Sequence, residues 1–339
     1  MKKVAFITGI SGQDGAYLAD LLLSKNYQVL GADRRTSGPS LWRLEKLGIA
    51  NEIEIVDCDL LEFSNLERIF KKYKISEIYN LAAQSFVASS FNTPIYTSKV
   101  NSLGVLSLLE LIRNNDREIK FYQASTSEMF GNIKEVPQNE NTSFYPRSPY
   151  AISKLYSHWM TINYREAYKI FACSGICFNH ESPLRGSEFV TKKIVHSLRE
   201  IQLDKLDCLY LGNIDSKRDW GFAGDYVRAM WLMLQASTPD DYVISTGKTY
   251  SVRYFIETAA PLFNIDLKWE GHGIDEIGIN KNNNKIVVRI SKKFYRPTEV
   301  DLLVGDSSKI FKNLNWSHET DIESLIKMMA EYEITGNLK

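Results

Sequence analysis

The stretch Thr8–Leu23, "TGISGQDGAYLADLLL", decides the fold of this 339-residue chain. It follows the short apolar run "KVAFIT" and continues with leucines at helical spacing, so it predicts a strand, a glycine turn and a helix. Gly9 permits a tight turn, Gly12 lets backbone amides approach a pyrophosphate, and Gly15 allows the helix to pack closely on the sheet. The position of the glycines favours a dinucleotide-binding turn over an unoccupied one.

Short β-rich runs alternate with longer amphipathic segments throughout the N-terminal half. The predicted strands are "KVAFIT", "YQVLGAD", "EIEIVD", "EIYNLA", "KFYQAS" and "FACSGICF". This alternation is typical of βαβ units, so we predict an α/β fold whose doubly wound parallel (Rossmann) sheet occupies residues 1–178. Residues 179–339 are predicted to form a smaller C-terminal α/β lobe, with some segments returning to the first domain.

Charge and cysteine content exclude several functions. Lys+Arg and Asp+Glu both number 41, so there is no overall positive field for nucleic acid or anionic lipid. Cys58, Cys173, Cys177 and Cys208 lack the spacing of a zinc site and are expected to be packing thiols, with no metal bound. The N-terminal apolar run is too short for a signal peptide or a membrane span. We therefore expect a cytoplasmic protein with a small-molecule ligand.

The end of the second predicted strand, "GADRRTS", gives two conflicting indications of the cofactor. Asp33 can accept a hydrogen bond from a ribose 2′-hydroxyl, which favours NAD, whereas Arg34 and Arg35 can pair with a 2′-phosphate, which favours NADP. We favour NADP and leave NAD open. Later strands end where adenine and the nicotinamide ribose are expected, at Asp59, Leu60, Leu81, Ala83 and Ser85.

Tyr150 is the only one of the 18 tyrosines with a lysine four residues later, in "SPYAISKLY". On a helix this spacing places Tyr150 and Lys154 on one face. The ammonium group can then lower the pKa of the phenol, so that tyrosinate acts as a base toward an alcohol. A chance match to this motif is common, but its combination with the glycine loop indicates an alcohol-oxidising site.

Several motifs carry a family resemblance. "TGISGQDG", "NLAAQS", "STSE" and "YAISK" resemble the extended short-chain dehydrogenase/reductase family. Over nearly the whole chain, "QASTSEMFG", "FYPRSPYAISKLYSHWMTINYRE", "FNHESPLRG", "LGNIDSKRDWGFAGDYV" and "RPTEVDLLVGD" resemble its GDP-mannose 4,6-dehydratase branch. The resemblance implies a GDP-sugar substrate, a tightly held NAD(P) and a homodimer or homotetramer.

The same resemblance implies roles for the "STSE" loop. Tyr150 and Lys154 serve oxidation at C4 of the sugar, and Thr126 hydrogen-bonds the C4 oxygen. Glu128 supplies the second base, which an epimerase does not need, because dehydration also removes the C5 proton and the C6 hydroxyl. Ser127 replaces an Asp that is typical of dTDP-glucose dehydratases, which leaves open whether Glu128 or another group protonates the C6 oxygen.

Further contacts follow from the resemblance. On the cofactor side they are Gln13, Asp14, Tyr96, His180 and Arg185. On the substrate side they are Ser85, Asn179, Glu188, Lys193, Arg218, Arg296 and Glu299. Each histidine or cation alone is equally consistent with a structural or solvated residue.

The identity of the sugar stays open at this point. The family's usual Arg and Asp are replaced by Lys192 and Asn101, and no residue reports on C2 or on an extended C6 chain. GDP-N-acetylglucosamine and GDP-manno-heptose are therefore alternatives to GDP-mannose. A reductase of the keto product would not need Glu128, and a catalytically idle scaffold would be expected to lack Tyr150, Lys154 or Glu128.

The segment "RRTSGPSLWRLEKLG" suggests an oligomer interface. Leu41 and Trp42 are predicted to be exposed beside the cofactor phosphate. Exposed apolar groups often mark interfaces, so we expect subunits to meet there.

Overall fold

The computed structural model describes residues 2–295 and 302–338. Its strands are β1 (Val4–Thr8), β2 (Gln28–Asp33), β3 (Glu54–Asp57), β4 (Glu77–Asn80), β5 (Lys120–Thr126), β6 (Ala172–Cys177), β7 (Asn179–Glu181), β8 (Leu209–Leu211), β9 (Lys217–Arg218), β10 (Trp220–Phe222), β11 (Tyr242–Ile244), β12 (Tyr250–Ser251), β13 (Leu267–Glu270), β14 (Ile277–Asn280) and β15 (Lys285–Ile290).

The α-helices are α1 (Gln13–Ser24), α2 (Trp42–Leu47), α3 (Phe63–Lys72), α4 (Val87–Asn92), α5 (Pro94–Ser98), α6 (Gly104–Asn115), α7 (Pro149–Tyr168), α8 (Val190–Gln202), α9 (Ala223–Gln235), α10 (Val252–Ala259), α11 (Ser308–Leu314) and α12 (Ile322–Thr335). A π-helical turn, Lys99–Leu103, joins α5 to α6, and 3₁₀ turns cover Ala50–Glu52, Ser127–Met129, Ala260–Phe263, Gly273–Asp275 and Lys292–Phe294.

A parallel sheet of seven strands forms the larger lobe, in the order β11-β6-β5-β4-β1-β2-β3. The prediction of a doubly wound α/β fold is confirmed, and each of the six predicted strands is present with shifts of one or two residues at its ends. Strand β11 joins this sheet from beyond residue 178. The division of the chain after residue 178 stays a prediction.

Helices cover both faces of this sheet, because each face is apolar. On one face, Leu18 and Leu22 of α1 pack in a core with Met230 of α9 and Trp316. On the other face, helices α3, α6 and α7 contribute buried residues to a second core. Residues buried on both sides explain why the strands read as continuous apolar runs.

The smaller lobe has its own sheet and core. Strands β13, β14, β15 and β8 form a four-stranded sheet in that order. Ile194 of α8, Phe255 of α10 and Ile326 of α12 pack with Val288 of β15. Across residues 2–295 and 302–338, none of the helices combines the length and the apolar character that crossing a bilayer requires.

The expectation that Leu41 and Trp42 are exposed is wrong. Leu41 is partly buried against the core that contains α1, and Trp42 is half-buried with the Arg43 guanidinium 4.3 Å from its ring centroid. Leu44 of the short helix α2 is fully buried, and Leu41, three residues earlier, packs against the same core. These residues therefore give no support to an interface.

The carboxyl ends of the parallel strands meet along one edge of the large sheet. Strand β1 lies between β2 and β4, so the chain order reverses beside it. In open α/β sheets, ligands bind outside the carboxyl ends of the strands at this switch point. The glycine loop after β1 and Thr126 at the end of β5 both lie on this edge.

Candidate active site

A cavity of about 860 Å³ opens at this edge and is lined by residues of both lobes. It brings together most of the residues predicted from the sequence. These are Gly9, Gly12, Gln13, Asp14, Gly15, Leu81, Ala83, Ser85, Thr126, Glu128, Tyr150, Lys154, Asn179, His180, Arg185, Glu188, Lys193 and Arg218.

The start of helix α7 fixes Tyr150 and Lys154. The Ser148 side chain accepts a hydrogen bond of 3.1 Å from the amide of Ala151, and Pro149 occupies the first turn, where it costs no backbone hydrogen bond. Tyr150 and Lys154 follow one turn apart, and both are buried while lining the cavity. The Lys154 ammonium donates a hydrogen bond of 2.8 Å to the carbonyl oxygen of Ala124 on β5.

Burial shifts the pKa values of this pair in opposite directions. It raises the pKa of Tyr150; a hydrogen bond with Thr126 lowers that pKa, and the charge of Glu128 raises it further. Burial lowers the pKa of Lys154 to about 8. The sequence suggested that Lys154 would lower the Tyr150 pKa, but here burial has the larger effect and the ammonium is directed at a carbonyl oxygen.

The "STSE" loop places a carboxylate in the cavity. Strand β5 ends at Thr126, whose hydroxyl accepts a hydrogen bond of 3.2 Å from the amide of Glu128 and begins a 3₁₀ turn. Glu128 is only 7% exposed and lines the cavity. Ser127 is not among the lining residues, and its Oγ has no hydrogen-bond partner within the described part of the chain. Of the adjacent residues Ser127 and Glu128, only Glu128 lines the cavity.

The glycine loop fits a pyrophosphate group. Gly9 has a φ of +71°, and a Cβ on it would lie 2.8 Å from the amide nitrogen of Ala82. A Cβ on Gly15 would lie 2.3 Å from the carbonyl oxygen of Gly9, so the helix approaches the turn as closely as the sequence predicted. The N-cap of α1, Gly12, makes no side-chain capping bond, and the first helical residues line the cavity. Uncapped amides at a helix N-terminus bind anions.

Asp14 and His180 form an ion pair beside this loop. His180 Nε2 lies 2.8 Å from Asp14 Oδ2, and Nδ1 lies 2.7 Å from the carbonyl oxygen of Phe178. Both nitrogens face acceptors, an arrangement that favours the imidazolium form of the ring. Burial alone would raise the pKa of Asp14, but His180 holds it at about 2. Burial opposes the charge on His180 too, yet Asp14 raises the pKa of the imidazole.

The residues predicted for the adenosine end of the cofactor lie along the same edge but outside the cavity. Arg34 and Arg35 follow β2 and are exposed, and Arg34 Nη1 donates a hydrogen bond of 2.7 Å to the hydroxyl of Tyr96. Asp59 and Leu60 follow β3; Asp59 accepts a hydrogen bond from the amide of Leu61, and Leu60 is buried.

Cations gather at the end of the cavity that belongs to the smaller lobe. The Lys193 ammonium donates a hydrogen bond of 2.6 Å to the carbonyl oxygen of Tyr210, and burial together with the nearby Lys293 lowers its pKa. Lysines of like charge lining one cavity favour an anionic ligand. Arg296 and Glu299 lie outside the described residues.

Buried Asp219 holds Arg218 in place. Its carboxylate accepts hydrogen bonds from the amide and hydroxyl of Thr246, at 2.9 and 2.6 Å, and from the amide of Gly247 at 2.9 Å. The preceding residue, Arg218, is 7% exposed and lines the cavity. A carboxylate with this many donors fixes the backbone that carries Arg218.

Sequence reasoning missed several lining residues. Phe86 and Phe189 meet edge to face at 5.8 Å, and the Arg185 guanidinium lies 3.5 Å from the Phe189 ring centroid. Lys293 was also missed, although "SKKFYRP" places it three residues before the predicted Arg296. Aromatic residues have no spacing that marks a cavity, whereas the run of basic residues is a usable signal.

Comparisons with known proteins point to one family. A sequence model of GDP-mannose 4,6 dehydratase matches residues 6–329. The GDP-mannose 4,6 dehydratase of Drosophila melanogaster is 48% identical over 340 residues, which cover 98% of this chain and 86% of that protein.

Two solved structures share the fold at low identity. The dTDP-glucose 4,6-dehydratase from Bacillus anthracis in complex with NAD has a TM-score of 0.81 at 20% identity, covering 98% of this chain and 97% of that one. RMD from Pseudomonas aeruginosa complexed with NADPH has a TM-score of 0.76 at 19% identity, covering 98% and 99%.

Proposed function

Because this chain belongs to the GDP-mannose 4,6 dehydratase family, we propose that it converts GDP-mannose to GDP-4-dehydro-6-deoxymannose with loss of water. The observation that carries the proposal is the position of Glu128, a buried carboxylate in the same cavity as Tyr150, Lys154 and Thr126. Alcohol oxidation alone would not need it, whereas dehydration needs a base for the C5 proton.

Each side chain has a role that balances the reaction. Tyr150 accepts the proton of the C4 hydroxyl while Thr126 donates a hydrogen bond to the C4 oxygen. Once C4 is a ketone, Glu128 removes the acidic C5 proton and delivers a proton to the C6 hydroxyl, which leaves as water. The proton that Tyr150 accepted from the C4 hydroxyl is then available for C5, which balances the reaction. Ser127 does not line the cavity, so Glu128 is the residue that protonates the C6 oxygen.

A nicotinamide cofactor, when bound, would supply what the chain's own residues lack: a positive charge and the hydride transfer from C4 to C6. The glycine loop and the N-terminus of α1 would hold its pyrophosphate. Lys154 holds the ribose side of the site in place from α7, through its bond to Ala124. Without the positive charge of the nicotinamide, the raised pKa of Tyr150 keeps the phenol protonated.

We propose NADP rather than NAD as the cofactor. Arg34 and Arg35 follow β2 at the position where a 2′-phosphate is read in this fold, and an arginine fork suits phosphate oxygens. The related folds do not decide the question, because one solved structure contains NAD and the other NADPH.

On the substrate side, we propose that Lys193, Arg218 and the neighbouring Lys293 bind the diphosphate, with Asn179 beside them and Glu188 near guanine or its ribose. Arg296 and Glu299 remain proposals from the sequence. GDP-N-acetylglucosamine and GDP-manno-heptose stay the alternative substrates, because the residues that line the cavity do not identify the sugar.

For assembly, we propose a homodimer or homotetramer that uses an apolar face on α5–α7 instead of the segment around Trp42. Ile152, Tyr156 and Trp159 form one stripe of α7 and are 56%, 39% and 54% exposed. Ile95 and Leu103, which are 71% and 50% exposed, lie on the neighbouring helices. A second copy would cover this face. Light scattering at micromolar concentration tests it: Trp159→Glu should yield monomers, and a monomeric wild type would contradict it.

The function is tested by incubating the purified chain with NADP and a panel of GDP-sugars. GDP-mannose should give a 4-keto-6-deoxy product without net consumption of cofactor. Turnover of only an N-acetylated or heptose substrate would move the assignment to that sugar. Stoichiometric oxidation or reduction of the cofactor would contradict dehydration.

A further inference from the structure

Asp33 is the residue that made the cofactor ambiguous, and both of its carboxylate oxygens are already hydrogen-bonded. Ser11 Oγ donates to Oδ1 at 2.8 Å, and Ser40 Oγ donates to Oδ2 at 2.5 Å. Ser11 belongs to the glycine loop, while Ser40 ends the exposed segment that follows β2. The carboxylate therefore ties the two loops together across the carboxyl end of the sheet.

These bonds alter what Asp33 offers to a ligand. An acidic residue at the end of the second strand binds a ribose 2′-hydroxyl only if an oxygen is directed at that hydroxyl. Here each oxygen accepts a hydrogen bond from a serine hydroxyl, so the two bonds fix the direction of the carboxylate, and such charge-assisted bonds are stronger than those between neutral groups. The two hydroxyl dipoles also offset part of the negative charge that would repel a phosphate.

The basic residues next to Asp33 complete the arrangement. Arg34 reaches away from the carboxylate to Tyr96, with 2.7 Å between Nη1 and the phenolic oxygen. Arg35 is exposed beside it. Neither arginine forms an ion pair with Asp33 in the described residues, so the guanidinium groups are not neutralised by the acid that precedes them.

We propose that Ser11 and Ser40 determine the cofactor preference by holding Asp33 away from the ribose 2′-hydroxyl, which leaves a 2′-phosphate to Arg34 and Arg35. This inference rests on the proposed nicotinamide cofactor and explains how an acidic residue is compatible with NADP. Removal of the hydroxyls should convert Asp33 from a structural tie into a ribose ligand.

The test measures binding, not turnover, with two probes that differ only at the 2′ position. Cofactor-free protein is titrated by calorimetry with 2′,5′-ADP and with 5′-AMP. In Ser11→Ala/Ser40→Ala, the affinity for 5′-AMP should rise and that for 2′,5′-ADP should fall, changing their ratio by about tenfold or more, as expected for one charge-assisted hydrogen bond. Adding Asp33→Asn to that double variant should abolish the gain for 5′-AMP.

Two controls accompany the variants. Ser40→Thr keeps the hydroxyl and should keep the wild-type ratio, and Ser37→Ala, in the exposed part of the same loop, should leave both affinities unchanged. Thermal melting establishes that each variant is folded.

Three results would overturn the inference. They are an unchanged ratio in the double alanine variant, weaker 2′,5′-ADP binding with no gain for 5′-AMP, and a wild type that prefers 5′-AMP. The second would mean that the serines contact the phosphate directly. If the wild type binds neither probe, the proposal of a nicotinamide cofactor is wrong, and the proposed function is wrong with it.

Discussion

Glu128→Gln separates dehydration from oxidation within one cavity. Glutamine has the same shape, and the backbone amide of residue 128 still donates to the Thr126 hydroxyl, so the 3₁₀ turn should persist. The substitution removes the ability to accept a proton and, with it, the negative charge that raises the pKa of Tyr150. Because residue 128 is 7% exposed, bulk water has little access to replace the base. General base catalysis contributes ~10²–10⁴-fold, or about 2.7–5.4 kcal/mol of the activation barrier, and kcat should fall by that factor.

The assay follows the sugar and the cofactor together. With GDP-mannose and NADP, the variant should form the 4-keto-6-deoxy product at the reduced rate, while near-ultraviolet absorbance reveals reduced nicotinamide retained on the protein. Ser127→Ala is the matched control, since this neighbouring hydroxyl is buried, lacks a partner within the described residues and does not line the cavity. If Glu128→Gln turns over GDP-mannose as fast as the wild type, Glu128 is not the base.

The other predictions concern the base, the glycine loop, a buried amide and the ion pair. Tyr150→Phe should prevent C4 oxidation and leave the cofactor oxidised, with no near-ultraviolet absorbance; reduction in this variant would contradict the role of the phenol. Gly15→Ala should lower the free energy of unfolding by about 1–3 kcal/mol in urea titrations, because its Cβ would lie 2.7 Å from the Ile10 Cα. Asn101→Asp should cost about 1–3 kcal/mol in the same titration, since the Asn101 amide donates to the Gln84 carbonyl oxygen at 3.1 Å. The raised pKa of His180 means that its contribution to stability is complete below its ordinary value of 6.5 and is lost as the pH rises through the raised value. Asp14, at about 2 in the fold, contributes above its ordinary 3.8 and loses this as the pH falls toward 2, so the difference in Tm between wild type and His180→Asn should be largest at about pH 4–6.5; a constant difference up to pH 9 would contradict the pair.

The sequence was sufficient for the fold and for the placing of most of the predicted site residues at the cavity, because both depend on local patterns. Strand β5 and the "STSE" loop are adjacent in sequence, so a single apolar run predicts where Glu128 stands. Likewise, the four-residue spacing of Tyr150 and Lys154 is enough to place them on one helical face, whatever surrounds the helix. Parallel strands then bring the loops that follow them to one edge without any further information.

Interactions between distant segments could not be predicted in this way. His180 pairs with Asp14, 166 residues earlier in the chain, and nothing near either residue reports the contact. The exposure of Leu41 was misjudged for the same reason, since its partial burial depends on packing against the core that contains α1. The Tyr150 pKa depends on desolvation by the whole cavity, which a motif does not encode.

The Asp14–His180 pair also explains how an acid is compatible with the proposed binding of a pyrophosphate at the glycine turn. A carboxylate in the first turn of α1 is favourable to the helix itself, because it complements the positive end of the helix dipole. The same charge would repel a pyrophosphate that approaches the uncapped amides of that turn. His180 resolves the conflict, since an imidazolium 2.8 Å away neutralises Asp14 toward the cavity without removing its effect on the helix. The stacking of His180 on Tyr226, at 4.6 Å between ring centroids, places a π face against the cation and supports its charged form. Under the proposed function, His180 would therefore act through Asp14 and the electrostatic potential of the glycine loop, a role that needs no direct bond to the cofactor.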